Sequence, residues 1–222
     1  VPGFPVGESL TTNSAALSQT HVLTPSLLNI IRFAFFRSGF QFDASSNHQP
    51  PSSLGFDYAS TLPASQGPPF FNINGYASLG NPITGPRNSV QNDFNLSESI
   101  SWVRGAHELK FGAEFRRTQV NLVDAIASNG FFVFAGFPVN NAIANLLLGQ
   151  PVVFFQGGGD FGRGLRSFEI AGYAQDQWRV TPKLTFNYGL RYEVNSPYGE
   201  IRDRLNQFAP GVQSTVRPDA PP

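Results

Sequence analysis

The chain has 222 residues, enough for one large domain or two small ones, and its 15 Lys+Arg and 15 Asp+Glu cancel, so it lacks the basic stripe of a nucleic-acid binder. Charged residues are only 14%, against roughly 25% in soluble domains; aromatic residues are another 14%, with 22 Phe, yet mean hydropathy is −0.15. Cysteine is absent, which removes disulfides, thiolate metal sites and cysteine nucleophiles, and no apolar run approaches the ~18 residues of a membrane helix.

Residues 1–23, rich in Gly, Pro, Ser and Thr, read as loop. Ser26 to Arg37 favours a strand with Ile31, Phe33 and Phe35 on one face, although a buried helix competes over so short a run. Residues 43–69 form a long polar loop. Phe70 to Ala77 reads as a second strand and residues 79–88 as another loop.

Asp93 to Trp102 alternates, with Phe94, Leu96, Ile100 and Trp102 against Asn95, Ser97, Ser99 and Ser101. After Arg104-Gly105-Ala106 the pattern resumes with Leu109, Phe111, Ala113 and Phe115 against Lys110, Gly112, Glu114 and Arg116. Two period-2 runs about a short Gly-containing turn predict a β-hairpin. Residues 118–130 break the pattern, and Phe131 to Phe137 is a dense aromatic run. Asn141, the helix-forming stretch from Ala142 and the closing Gly149 predict a short capped helix inside an outer loop. Val152 to Gln156 is a further strand candidate before a flexible Gly157-Gly158-Gly159.

The last hairpin runs from Ser167 to Val180, turns at Thr181-Pro182-Lys183 and returns over Leu184 to Val194. Leu184, Phe186, Tyr188, Leu190, Tyr192 and Val194 face one way; Thr185, Asn187, Gly189, Arg191 and Glu193 face the other. Such a run matches the ~9–11 residues with which a tilted strand crosses a bilayer. Soluble strands average about five or six residues. Short turns alternate with long connections, as in barrels of the outer membrane. Trp102, Trp178, Tyr188 and Tyr192 lie towards strand ends, where amphipathic rings favour the headgroup level. The expected fold is therefore all-β: antiparallel transmembrane β-barrel strands, in a partial barrel with long extracellular loops and short periplasmic turns. A soluble β-sandwich whose core these aromatics fill is the competing fold.

Two segments, Arg104 to Arg117 and Tyr173 to Glu193, resemble TonB-dependent outer-membrane receptors, particularly the Oar-like barrels, and Ala144-Asn145-Leu146-Leu147-Leu148-Gly149 is similar to a stretch of such barrels. The strongest match covers residues 88–210 within a partial barrel domain spanning 1–222. The resemblance implies a 22-stranded barrel with an N-terminal plug, energised by the TonB complex for uptake of a large nutrient. No plug, TonB box or terminal aromatic strand is recognisable. The opening at Val1-Pro2-Gly3 without Met, and the close at Asp219-Ala220-Pro221-Pro222, predict a piece of a longer protein, with this chain supplying about seven or eight of the barrel strands.

On this basis Lys110, Glu114, Arg116, Arg191 and Glu193 are lumen-facing candidates, placed to line the wall, to meet a plug or to pair with one another. Phe111, Phe115, Leu184, Phe186, Tyr188, Leu190 and Tyr192 are lipid-facing candidates. His21, His48 and His107 are scattered, so no metal site or cofactor is expected. Asp176 and Glu193 are explained by strand polarity rather than as a catalytic pair, and the Gly-rich stretch 157–164 lacks the Gly-Lys-Ser/Thr of a phosphate loop. No enzymatic activity is expected. An energised receptor, a passive porin or structural barrel, and a soluble binding module are the three functions to be separated.

Overall fold

The computed structural model describes residues 4–43, 48–63, 66–205 and 210–211. The chain's first three residues and its end beyond 211, with 206–209 of the 88–210 segment and 44–47 and 64–65 of the 43–69 loop, lie outside the described residues.

The wall is an antiparallel meander: β1 (Gly7–Thr24), β2 (Leu27–Asp43), β4 (Thr84–Arg104), β5 (His107–Ile126), β8 (Gly162–Thr181) and β9 (Leu184–Asn195), each paired with the next. The two-residue β10 (Gly199–Glu200) continues the line of β9 along β8. Among the described residues the wall thus has six long strands and a seventh very short one. At one end the strands join through two-residue turns, Pro25-Ser26, Gly105-Ala106 and Pro182-Lys183. Gly105 turns at φ +63°, a conformation that favours glycine. At the other end the connections 44–83 and 127–161 are long. The sheet is open, and every residue of its edge strands β1 and β9 is exposed.

Several expectations need correction. Residues 1–23 are not loop: most of them form β1, paired with β2 along its length. The strand expected over 70–77 shrinks to β3 (Phe70–Ile73) and does not belong to the wall. The wall strand β4 begins inside the expected loop 79–88, and β5 runs on to Ile126 through the supposed break at 118–130. Edge strands and strand tips are held by backbone pairing with a neighbour, which needs no apolar alternation. Over 26–37 the strand prevails over the competing helix.

The long connections build a second layer. β3 pairs in parallel with β6 (Phe131–Phe134), which pairs with β7 (Val153–Phe155), and α1 (Ala142–Leu147) packs on them. Asn141 caps the helix as expected, its Oδ1 accepting from Ala144 N–H at 3.0 Å. Ile73, Phe134 and Ala142 form the apolar core of this cap, ringed by Phe71, Phe132, Ile143 and Leu146. Tyr58 and Phe132 flank Phe154, with ring centroids 5.2 and 4.7 Å away. Burial holds the Tyr58 hydroxyl protonated up to about 12. Asn145, with no exposed surface, donates from Nδ2 to the carbonyls of Ala135, Phe137 and Val139 and accepts from Val139 N–H, tying the 135–139 turn to the helix.

Candidate functional site: the two faces of the wall

Because directly paired residues of an antiparallel sheet share a face, the register sorts the wall. One face carries Phe94, Leu96, Ile100 and Trp102 of β4, Leu109, Phe111, Ala113 and Phe115 of β5, Phe168, Ile170 and Ala174 of β8, and Phe186, Tyr188, Leu190, Tyr192 and Val194 of β9. The opposite face carries Ser97, Ser99, Lys110, Gly112, Glu114, Arg116, Glu169, Gln175, Asn187, Arg191 and Glu193, with Arg32 of β2 beside Ser97. All seven lipid-facing candidates fall on the apolar face, and all five lumen-facing candidates on the polar one.

Exposure is inverted relative to a soluble protein. Along β5, Phe111, Ala113 and Phe115 are exposed while Gly112 and Glu114 between them are half-buried. On β9, Leu190 and Tyr192 are 75% and 72% exposed. On the polar face the Glu114 and Glu169 side chains are only 26% and 24% exposed. The apolar run Leu184–Val194 spans ~33 Å along the strand, or ~25 Å of height at a tilt of ~40°, the thickness of the apolar band of outer-membrane barrels.

On the polar face four of the five candidates meet. Arg116 reaches Glu114 at 3.5 Å and Glu169 at 3.4 Å; Arg191 reaches Glu193 at 3.2 Å and Glu114 at 3.7 Å. Asn95 donates to Glu114 at 2.6 Å and Asn195 to Glu193 at 3.3 Å. The result is a hydrogen-bonded charge ladder across β4, β5, β8 and β9. Lys110 stands apart, paired with Glu108 at 3.3 Å. Glu169 is a ladder member that the sequence pattern does not single out: it alternates in phase with Ala171 and Tyr173 on β8, and only the register places it beside Arg116. The Tyr173 ring lies across Gly112, where a Cβ would collide with it, so glycine lets an aromatic ring seal the β5–β8 ladder.

The apolar face has polar insertions. Glu98 accepts from Asn29 at 2.7 Å. Asp176, 6% exposed, pairs across β8 with the apolar face rather than with Glu193, so the two carboxylates lie on opposite sides of the sheet. Its Oδ2 receives Tyr188 Oη–H at 2.7 Å and lies 2.6 Å from His107 Nδ1, clasping β5, β8 and β9 beside their turns. His107 also stacks on Trp178 at 5.4 Å, and Arg104 lies over Trp102 at 5.2 Å. Trp102, Trp178 and Tyr188 do lie near the turns. Tyr192 lies near the other end of β9 (Leu184–Asn195), where it pairs with Gly172 at mid-height of β8.

Beyond the apolar band, Glu200 is held by Arg204 Nη2 at 2.9 Å and by the Gly164, Arg202 and Arg204 N–H groups, which keep its carboxyl far below the usual range. Arg204 also contacts Asp160, whose carboxyl is lowered chiefly by the Gly162 N–H. Gly157 to Gly159 leads into β8, with no helix following. Among the described residues no group of His, Asp or Glu is arranged to hold a metal.

A search of curated proteins gave no match. The family model described as "Outer membrane beta barrel domain" matches residues 1–221, and a soluble sandwich is thereby set aside. The chain belongs to the outer-membrane β-barrel domain family and is a protein of the outer membrane.

Proposed function

We propose that this wall is part of the barrel of an energised, TonB-dependent receptor that takes up a large nutrient across the outer membrane, a role in transport and not in catalysis. The apolar face, with Phe111, Phe115, Leu184, Phe186, Tyr188, Leu190 and Tyr192, contacts lipid, and the polar face lines the lumen. The observation that carries the proposal is the charge ladder of Glu114, Arg116, Glu169, Arg191 and Glu193, all but Glu169 lying within the two segments that resemble such receptors. A fixed lattice of alternating charges suits a wall against which a folded plug docks through complementary polar contacts. The partners under this reading are the protein's own plug and the TonB complex.

The full-length protein, reconstituted in planar bilayers, is expected to hold no steady ion conductance, because a plug fills the lumen. A steady conductance with no energy source would replace the receptor with a passive porin.

A further inference from the structure

The loop-side border of the apolar face carries three arginines. Arg117 pairs with Phe168, and Arg166 with Gln119 one row further out, so Arg117 and Arg166 are diagonal neighbours, ~7–8 Å apart. Arg37 shares the outer row through Asn92. Just inside this border Phe115, Phe168 and Ile170 are 42%, 45% and 49% exposed. Between arginines and rings opens a groove of about 610 Å³, its far wall formed by Ser196, Pro197 and Gly199.

Among the described residues none of the three arginines is ion-paired. Arg37 donates to Asn92 Oδ1 at 2.8 Å, and Arg166 to Asn121 Oδ1 at 2.8 Å and to the carbonyls of Val120 and Leu165. Among the described residues Arg117 has neither an ion pair nor a side-chain hydrogen bond. On the polar face, by contrast, Arg116 and Arg191 each meet two carboxylates. The turn-side border is also built differently, with Arg104 laid over a tryptophan. A guanidinium beside hydrocarbon is costly unless an anion meets it. Both Arg117 and Arg166 line the groove, and a guanidinium forms charge-assisted, bidentate hydrogen bonds to phosphate.

We infer that this groove binds a phosphate-bearing lipid of the outer leaflet, its phosphates held by Arg117 and Arg166 and its acyl chains laid on Phe115, Phe168 and Ile170. The inference rests on the assignment of the apolar face to lipid, and not on what the barrel carries.

The test uses the full-length protein, delipidated in detergent and titrated with a bisphosphorylated acylated glycolipid, with its dephosphorylated counterpart and with inorganic phosphate, bound ligand being read by native mass spectrometry. The R117Q/R166Q double variant is expected to bind the glycolipid at least about tenfold more weakly, with R117K/R166K intermediate. The dephosphorylated lipid should bind the unaltered protein as weakly as the glycolipid binds the double variant, and this arm decides alone should the variant fail to fold. R32Q, on the opposite face, should bind like the unaltered protein. Equal binding by R117Q/R166Q, equal loss in R32Q, or inorganic phosphate binding as tightly as the glycolipid would overturn the inference. Spin labels at Phe186 and Arg191 separate the two assignments. Acyl contact at the first and water at the second, with unchanged binding in R117Q/R166Q, removes the lipid site alone; two dry labels remove the lipid assignment with it.

Discussion

The wall and the cap are built from the same residue types and bury them in opposite senses. In the cap, Ile73 and Phe134 are 2% and 3% exposed, and Phe56, Tyr58, Phe71, Phe132 and Phe154 pack ring against ring around them. In the wall, Phe111, Phe115, Phe186 and Leu190 stand out from the sheet, and the fully buried apolar residues of its long strands are two alanines, Ala125 and Ala171. Segments surrounded by water must supply their own hydrocarbon, and the cap does so within a few short elements. A wall strand has hydrocarbon supplied by the bilayer, so its large side chains point away from the protein and its small ones close the seams. Under the lipid assignment proposed above, one chain folds against two solvents, and the border between them runs where the polar row of Arg37, Asn92, Gln119 and Arg166 replaces the apolar rows.

The largest effect that separates the regions is expected from Phe134→Ala. Removing a fully packed ring from a protein core costs about 3–5 kcal/mol, and here the loss should stay in the cap. Hydrogen exchange on the full-length protein in bilayers should quicken over 131–134 and 153–155 while β5 and β8 keep their protection. Spread of the loss into those long strands would mean that cap and wall share one core. Next in size is a charge on the apolar face. Leu190→Arg should cost about 2–4 kcal/mol in a bilayer, by urea unfolding, because a guanidinium must then sit near mid-membrane. Asn187→Arg, three residues earlier and on the other face, should cost little. Equal losses at the two sites would remove the distinction between the faces.

How far each region can be read from sequence follows from the same difference. In Leu184–Val194 apolar and polar side chains alternate strictly, as lipid on one side and water on the other would require, so the strand, its turn and its two faces are all visible. β1 carries no such imprint. One of its faces runs Ser9, Thr11, Asn13, Ala15, Leu17 and the other Leu10, Thr12, Ser14, Ala16, Ser18, both mixed, and it is a strand because β2 offers a partner. The tip of β5 is obscured likewise: Gln119 and Asn121 alternate with Val120 and Leu122 where the strand has left the apolar band. In the cap, the helix is local and its Asn141 cap and Gly149 stop announce it. The parallel pairing of β3 with β6 joins segments some sixty residues apart and leaves no local sign. Of the charge ladder, each member is visible as a polar position, but its partners depend on register. Asp176 departs from strand polarity: its position in the alternation puts this carboxylate with Ala174 and Trp178 on the apolar face.

The smallest expected effect bears directly on what fills the polar side. Arg191 and Glu193, with side chains 46% and 38% exposed, should show a coupling of about 0.2–1 kcal/mol in a double-mutant cycle of Arg191→Gln and Glu193→Gln, as exposed pairs do. Between low and high salt the coupling should shrink, because mobile ions reach a wet wall. A pair sealed in a dry interior behaves otherwise. There, removing one partner strands the other charge and costs about 3–5 kcal/mol, nearly independent of salt. The size of the coupling therefore reports the medium beside the ladder. A small, salt-sensitive value fits a wall that faces an aqueous lumen or a hydrated plug contact. A large, salt-insensitive value would make the charged face the dry one, and the assignment of lipid to Phe186 and Leu190 would then lose its basis.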